Sequence, residues 1–341
     1  MPSLNSQIQS NILRYRRLLI KYENQIAREV RRTFGNYSDE IKTEIARILG
    51  SEAVNSQRVR KDLLRALRAT HAGQSAEFTD YVDKLVSDLA RAHNKLIFGV
   101  LEGGLLNEYV QFNRVTLSQL SVLLKRPLPA FSVPYEEELT SLLGRRYMGL
   151  NRLVNEAYIN GWGYEKIVRR ATGKYEAINR RYMETYARTL IQNVSGVIER
   201  AWLAENHHLL KGVYWVATLD KRTCAVCGGM DGHQWNSVDE AVKTPAHYKC
   251  RCFLAPVLKS WQDLGLPERK SNAGFRASMD GYVPKGTAYT EWFDGLSGAD
   301  QKLILGPGRY RIYRENGLSF DQLINDDGFL TIRELGNIYG I

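Results

Sequence analysis

Four cysteines and one histidine set the chemistry open to this chain. They read Cys224-x-x-Cys227 and then His247-x-x-Cys250-Arg251-Cys252, so every cysteine of the 341-residue chain falls within 29 residues. Thiolate and imidazole are the donors that tetrahedral zinc takes. Two cysteines two residues apart, followed about twenty residues later by His and Cys at short spacing, match its ligand pattern. The residues between Cys224 and Cys227 let the chain turn round one ion, and a tight turn brings His247 and Cys250 to the same point. Gly228-Gly229 is expected to let backbone amides approach the sulfurs. Cys252 is a fifth donor, one more than a tetrahedral site uses. In an extended Cys250-Arg251-Cys252 the two thiols share a face, so either can be the fourth ligand. Such a site is structural, and its loss is expected to unfold the segment around it.

Catalytic readings of the cluster fail on residue types. A zinc deaminase needs His-x-Glu, and none of the six histidines has a Glu two residues on. There is no His-Glu-x-x-His pair and no phosphate-binding Gly-x-x-x-x-Gly-Lys loop. With up to five protein donors, little room is left for the open position that a catalytic zinc needs. The expectation is a protein that is not an enzyme.

The elements that must position the cluster are mainly helical. Ile8, Ile12, Tyr15, Leu19, Tyr22 and Ile26 recur at a 3.5-residue period, the seam of a heptad helix. Arg14, Arg17, Lys21, Arg28 and Arg31 fall on its opposite face as a basic stripe. Gly35-Asn36 is expected to break this helix, and further helices are expected near 39–50, 58–70, 78–101 and 105–124. Lys125-Arg126-Pro127-Leu128-Pro129, with Pro134 behind it, marks a hinge. Helices follow over 135–160 and 175–208. Val213–Thr218, Gln234-Trp235 and Phe253–Val257 read as short strands of a turn-rich unit too small to hold itself together without a staple. The fold class is therefore mainly α: an elongated helical N-terminal region, a small α+β Cys/His module and a short helical tail. Its divisions are a basic helical arm or bundle at 1–124, a hinge at 125–134, a helical region at 135–210, the module at 211–260 and an extension at 261–341.

The net charge of +10 lies unevenly. Residues 1–200 carry 31 Lys+Arg against 21 Asp+Glu, whereas residues 201–341 carry 16 of each. An acidic partner for the N-terminal part, DNA or an acidic protein surface, is expected from this, with the basic stripe as the contact. No run of 18 apolar residues occurs, and Met1-Pro2-Ser3-Leu4-Asn5-Ser6 lacks the basic start and apolar stretch of a secretory leader, so a reducing cytoplasm and no membrane are expected, conditions in which thiols favour metal over disulfide.

Trp215-x-Ala217-x-x-Asp220-x-Arg222-Thr223-Cys224-x-x-Cys227, Met230-Asp231-Gly232 and Pro245-x-His247-x-x-Cys250-Arg251-Cys252 together resemble the phage head-morphogenesis family, the minor head proteins similar to phage Mu protein F. Tyr186-Ala187-Arg188-Thr189-Leu190 looks like the helix leading into that module. Leu305-Gly306-Pro307-Gly308-Arg309 and Leu330–Leu335 look like an extension that some members carry. The resemblance covers roughly 180–335 and is strongest over 214–256. It implies a minor capsid protein of the virion, made in the host cytoplasm. Such a protein sits at the portal vertex inside the head and aids head assembly and DNA packaging or ejection. Its implied partners are the portal protein, packaged DNA, and major capsid or scaffold protein. The competing readings are a zinc-ribbon nucleic-acid-binding protein acting in the cell and a virion-carried effector enzyme.

Overall fold

The computed structural model describes residues 4–50, 52–102, 112–260, 262–265 and 275–340. Two long helices open the chain, α1 (Leu4–Leu49) and α2 (Gln57–Glu102), each of 46 residues. At 1.5 Å per residue each runs about 69 Å. After α3 (Leu117–Leu124) and an irregular stretch come α4 (Tyr135–Ile159), α5 (Tyr164–Arg170) and α6 (Glu176–Glu205). A π-turn at Ala171–Tyr175, with Gly173 in a non-helical conformation, joins the last two. Among the described residues no helix is long and apolar enough to cross a membrane.

Gly35-Asn36 does not break α1, contrary to expectation. The apolar seam runs straight through it: Val30, Phe34, Tyr37, Ile41 and Ile45 are all buried. A mid-helix glycine costs about 1 kcal/mol, which five buried large side chains outweigh. The expected helices at 58–70 and 78–101 are likewise one helix, α2. Of the expected 105–124 helix, residues 103–111 lie outside the described residues and α3 begins only at Leu117. There Thr116 accepts the Gln119 N–H while the Gln119 side chain accepts the Thr116 N–H, a capping box that fixes the start. The heptad seam is satisfied within the chain. Tyr15, Leu19 and Ile26 are buried where α1 packs along α6 and α2, and the side chains of Ile8 and Ile12 lie outside the described ones.

α6 is the hub, enclosed on nearly every side, and it carries buried polar groups as well as apolar ones. Gln192 donates to Glu23 (2.8 Å), Asn193 accepts the Ala130 N–H (3.0 Å) and Thr189 accepts the Lys249 N–H (3.1 Å). One helix thus ties α1, the Pro-rich stretch and the cysteine segment together. The module's sheet is β1 (Leu210–Val216) flanked antiparallel by β2 (Gln234–Trp235) and β3 (Phe253–Leu258), in the order β2-β1-β3. A short helix α7 (Ala225–Gly229) follows β1. Beyond the sheet come a hairpin of β4 (Phe275–Ser278) and β5 (Gly281–Pro284), then α8 (Tyr289–Asp294), α9 (Gly298–Asn316), a hairpin of β6 (Ile324–Asn325) and β7 (Gly328–Phe329), and α10 (Ile332–Tyr339). The apolar core is continuous from Tyr15 through α6 and the sheet to Leu335. A second, separate cluster joins the far ends of α1 and α2 to α4 and α5 through Ile41, Leu63, Val154 and Ile167.

Where the helices cross, His71 donates from Nε2 to the Leu143 carbonyl (3.0 Å). Burial first, and the neighbouring Arg146 guanidinium second, push His71 down to about 4. The folded chain therefore refuses a proton that the unfolded chain accepts below its ordinary value of 6.5. This contribution to stability is complete above that value and is lost as pH falls from there toward 4. Urea unfolding at pH 7 and pH 5 is expected to show the wild type losing on the order of 1 kcal/mol more than His71→Gln, which keeps the donor without the titration. Equal losses in the two proteins would remove His71 as the cause.

Candidate metal centre

The strand-turn-helix order places the first two thiols. β1 ends at Val216, and a turn at Asp220–Thr223 leads to Cys224, which caps α7. Its Sγ accepts the Cys227 N–H at 3.4 Å, the knuckle bond that curls Cys227 back beside it. The indole of Trp215, fully buried on β1, donates to the Cys227 carbonyl (3.2 Å) and pins the knuckle to the sheet. The second half arrives on a turn in which Lys249 takes a left-handed conformation, φ 63°. Helix α6 lies hard against this loop: a Cβ on Gly196 would sit 2.1 Å from the Thr244 carbonyl oxygen.

These turns bring all five predicted donors together. The Cys224 Sγ is 3.2 Å and the Cys227 Sγ 3.3 Å from Nε2 of His247, and the Cys227 and Cys250 sulfurs are 3.8 Å apart. Zinc with Zn–S near 2.3 Å and Zn–N near 2.0 Å sets tetrahedral edges of about 3.8 Å between sulfurs and about 3.5 Å between sulfur and nitrogen. The observed separations are close to those edges. His247 is also oriented. Its Nδ1–H donates to the Tyr248 carbonyl at 2.8 Å, leaving the Nε2 lone pair turned on the sulfurs, as a metal-binding imidazole requires. The donor atoms of Cys224, Cys227 and His247 lie within 4.8 Å of one another, and so do those of Cys227, Cys250 and Cys252, with Cys227 common to both groups. All four cysteines are free thiols.

The electrostatics are those of a site that gathers negative charge. Hydrogen bonding to Cys227 holds the Cys224 thiol down at about 4, and the same partner holds Cys250 well below an ordinary thiol. Cys227, bonded to both, is pushed up. The thiolate of Cys224 first, and Cys250 next, raise His247 to about 11. A divalent cation replaces the shared protons of such a cluster.

Sequence reasoning missed the supports. Arg251 makes a two-pronged ion pair with Asp220, one arm at 2.7 Å, joining the two halves of the motif. Burial pushes the Asp220 carboxyl up, but that guanidinium overrides it and holds it below the ordinary range. Asp231 accepts the backbone N–H groups of Ala217 and Tyr289 (2.8 Å each) and both arms of Arg276 (2.8 and 3.2 Å). It thereby fastens β1 to the chain beyond the module. Gly228 serves this docking, because a Cβ there would meet the Tyr289 ring at 2.7 Å. Arg16 of α1 is buried, donates to Gln192 (3.2 Å) and Glu199, and lies 4.3 Å from the centroid of the Phe253 ring, the residue after Cys252. Buried acids in a motif signal that a cation must meet them. Which arginine does so is set by the fold.

Of the predicted stripe, Arg17, Lys21, Arg28 and Arg31 are exposed on α1, as its period requires, and the side chain of Arg14 lies outside the described ones. Arg17 donates to the Tyr282 hydroxyl of the β4-β5 hairpin and Arg31 pairs with Glu184 at 2.7 Å.

Residues 149–255 match the family model of Phage Mu protein F like protein. That segment is Phage Mu F-like, the family to which the cysteine pattern points. The match begins in α4, upstream of the expected residue 180, and ends within β3, so it takes in the helices that carry the module and leaves the tail outside. No curated protein and no solved structure matches the chain.

Proposed function

We propose that this chain is a bacteriophage head-morphogenesis protein, a structural minor capsid component at the portal vertex inside the head that aids assembly and the packaging or ejection of DNA. The observation that carries the reading is a Cys/His cluster with near-tetrahedral separations inside a Phage Mu F-like segment. On this reading the protein is not an enzyme, and the module is a docking unit stapled by zinc. The ligands are Cys224, Cys227, His247 and Cys250. Cys250 is preferred over Cys252 because both Cys227 and His247 reach it. Zinc with three thiolates and neutral imidazole carries a net negative charge, and buried Arg16 places an opposing charge close by. Cys252 remains a buried thiol beside the site. The basic stripe of Arg14, Arg17, Lys21, Arg28 and Arg31 faces an acidic surface of the portal, and the divisions at 124, 134, 210 and 260 separate arm, hinge, carrier helices, module and extension. Major capsid or scaffold protein is a further contact during assembly.

Co-expression with the portal protein of the same phage, followed by affinity purification and mass spectrometry of isolated heads, tests this. The chain is expected to co-purify with the portal and to be present in heads at low copy relative to the major capsid protein. Its absence from both would sink the proposal.

A further inference from the structure

The basic excess has a definite address in the fold, and it is not the α1 stripe. The second apolar cluster is built from residues 41–70 and 150–175, the adjoining ends of α1, α2, α4 and α5. Those two segments carry 12 Lys+Arg against 5 Asp+Glu, a net of +7 out of the chain's +10. Seven-tenths of the excess charge thus coats one small core at one end of the helical bundle.

Arg16, Arg31, Arg188, Arg251 and Arg276 each meet a carboxylate on another element. At the bundle end, Lys61, Arg68, Arg152, Arg169 and Arg170 are exposed and meet no carboxylate among the described residues. Asp62 is shared between Arg58 (4.0 Å) and Arg65 (3.6 Å), so one acid faces two guanidiniums. Packing like charges this closely costs self-repulsion, which a bound polyanion relieves.

The arrangement is ordered. Arg58, Lys61, Arg65 and Arg68 are spaced 3-4-3, which puts them in one stripe along α2 over about 15 Å. On the adjoining α5, the Trp162 ring holds Lys166 and Arg170 against it, at 4.6 and 5.0 Å from the centroid. A stripe dominated by guanidiniums and a second group of cations, on two helices that share one small core, suit the repeated phosphates of a nucleic-acid backbone, which guanidinium binds in a two-pronged manner. The side chains named are phosphate-binding cations, so the proposed contact is independent of sequence.

We infer that the end of the bundle formed by the start of α2 and by α5 is a binding surface for the phosphate backbone of duplex DNA. It is separate from the metal centre and from the α1 stripe proposed to meet the portal. Binding of the full chain to a fluorescent duplex of about 30 base pairs, followed by anisotropy between 25 and 200 mM salt, tests it. Affinity is expected to fall with salt with a log–log slope of about −0.9 per phosphate met. The variant Lys61→Gln/Arg65→Gln/Arg68→Gln is expected to bind at least tenfold more weakly at low salt, with the slope reduced by about 2 to 3. The variant Arg17→Gln/Lys21→Gln/Arg28→Gln is expected to keep the wild-type slope. All six positions are exposed, and unchanged melting curves confirm folding.

Three outcomes overturn the inference: no binding at 25 mM salt, an unchanged slope in the α2 variant, or competition by polyglutamate as effective as by DNA. The last would make the surface an acidic-protein contact. Portal co-purification is read independently, so failure here leaves the head-protein reading standing.

Discussion

Protein purified without chelator under reducing conditions is expected to carry about one zinc per chain, and Cys224→Ser, Cys227→Ser, His247→Ala and Cys250→Ser are each expected to lose it. The argument is geometric. Cys224, Cys227 and His247 converge, with Cys250 at 3.8 Å from Cys227, and the imidazole is held by its Nδ1 so that only Nε2 is free to bind. The sheet they close is small, with two strand pairings, one of them only two residues long. Structural zinc contributes on the order of 10–16 kcal/mol in small finger peptides, more than such a sheet supplies from its own packing. Chelation should therefore melt the module. Trp215 reports it, because its indole is buried and bonded to the Cys227 carbonyl. Tryptophan emission should shift to the red while helical circular dichroism, dominated by α1, α2, α4 and α6, falls much less. Cys252→Ser is the discriminating variant: it should keep its zinc, since His247 interacts with Cys250 as well as Cys224 and Cys227, whereas the side-chain partners of Cys252 are Cys227 and Cys250. Loss of zinc in Cys252→Ser with retention in Cys250→Ser would reverse the ligand assignment. A folded, metal-free wild type would remove the staple altogether.

What was legible in the chain divides along physical lines. The cluster was legible because chemistry that needs four thiolate and imidazole donors leaves its mark in residue type and short spacing, both local properties. The strands of the module were legible for the same reason: alternating β-formers bounded by turn residues. The break at Gly35-Asn36 was misread because local propensity pointed one way and a tertiary seam the other; the seam is visible only when Val30, Phe34, Tyr37 and Ile41 are counted as one series across the glycine. Charge followed a third pattern. Its excess in the N-terminal half could be summed, but its concentration round a small core depended on residues about a hundred positions apart being brought together. The same holds for Asp231 with Arg276 and Asp220 with Arg251. A motif shows that an acid is present. It does not say which distant base the fold delivers to it.

The buried pair of Arg146 and Glu176 is the extreme case, and it sets the second large expected effect. Both side chains are fully buried, with Arg146 Nε donating to Glu176 Oε1 at 3.2 Å and Nη1 donating to the Gln74 side chain at 2.8 Å. The guanidinium lies over the rings of Phe34 and Tyr37, and the Tyr175 hydroxyl donates to the Arg146 carbonyl. Burial pushes the Glu176 carboxyl up, and Arg146 offsets that only in part. Arg146→Met leaves a carboxylate in the core without the cation that is hydrogen-bonded to it. The expected loss is about 3–5 kcal/mol in urea unfolding, enough to threaten folding of a domain of ordinary stability. The pair itself is not an efficient source of stability, because Arg146 Nη2 and Glu176 Oε2 find no further partner among the described residues. Replacing both, as Arg146→Met/Glu176→Leu, should therefore recover most of the loss, and the double-mutant cycle should show a coupling of at least 2 kcal/mol. Additive losses in the double variant would mean that the two groups act separately. What the pair supplies beyond net stability is register. It joins α4 to the start of α6 at a fixed point, and α6 carries that register through Thr189 and Gly196 to the loop of His247 and Cys250. The single variant should consequently weaken zinc retention under chelator competition, although it touches no ligand, and the double variant should restore folding more fully than it restores zinc retention.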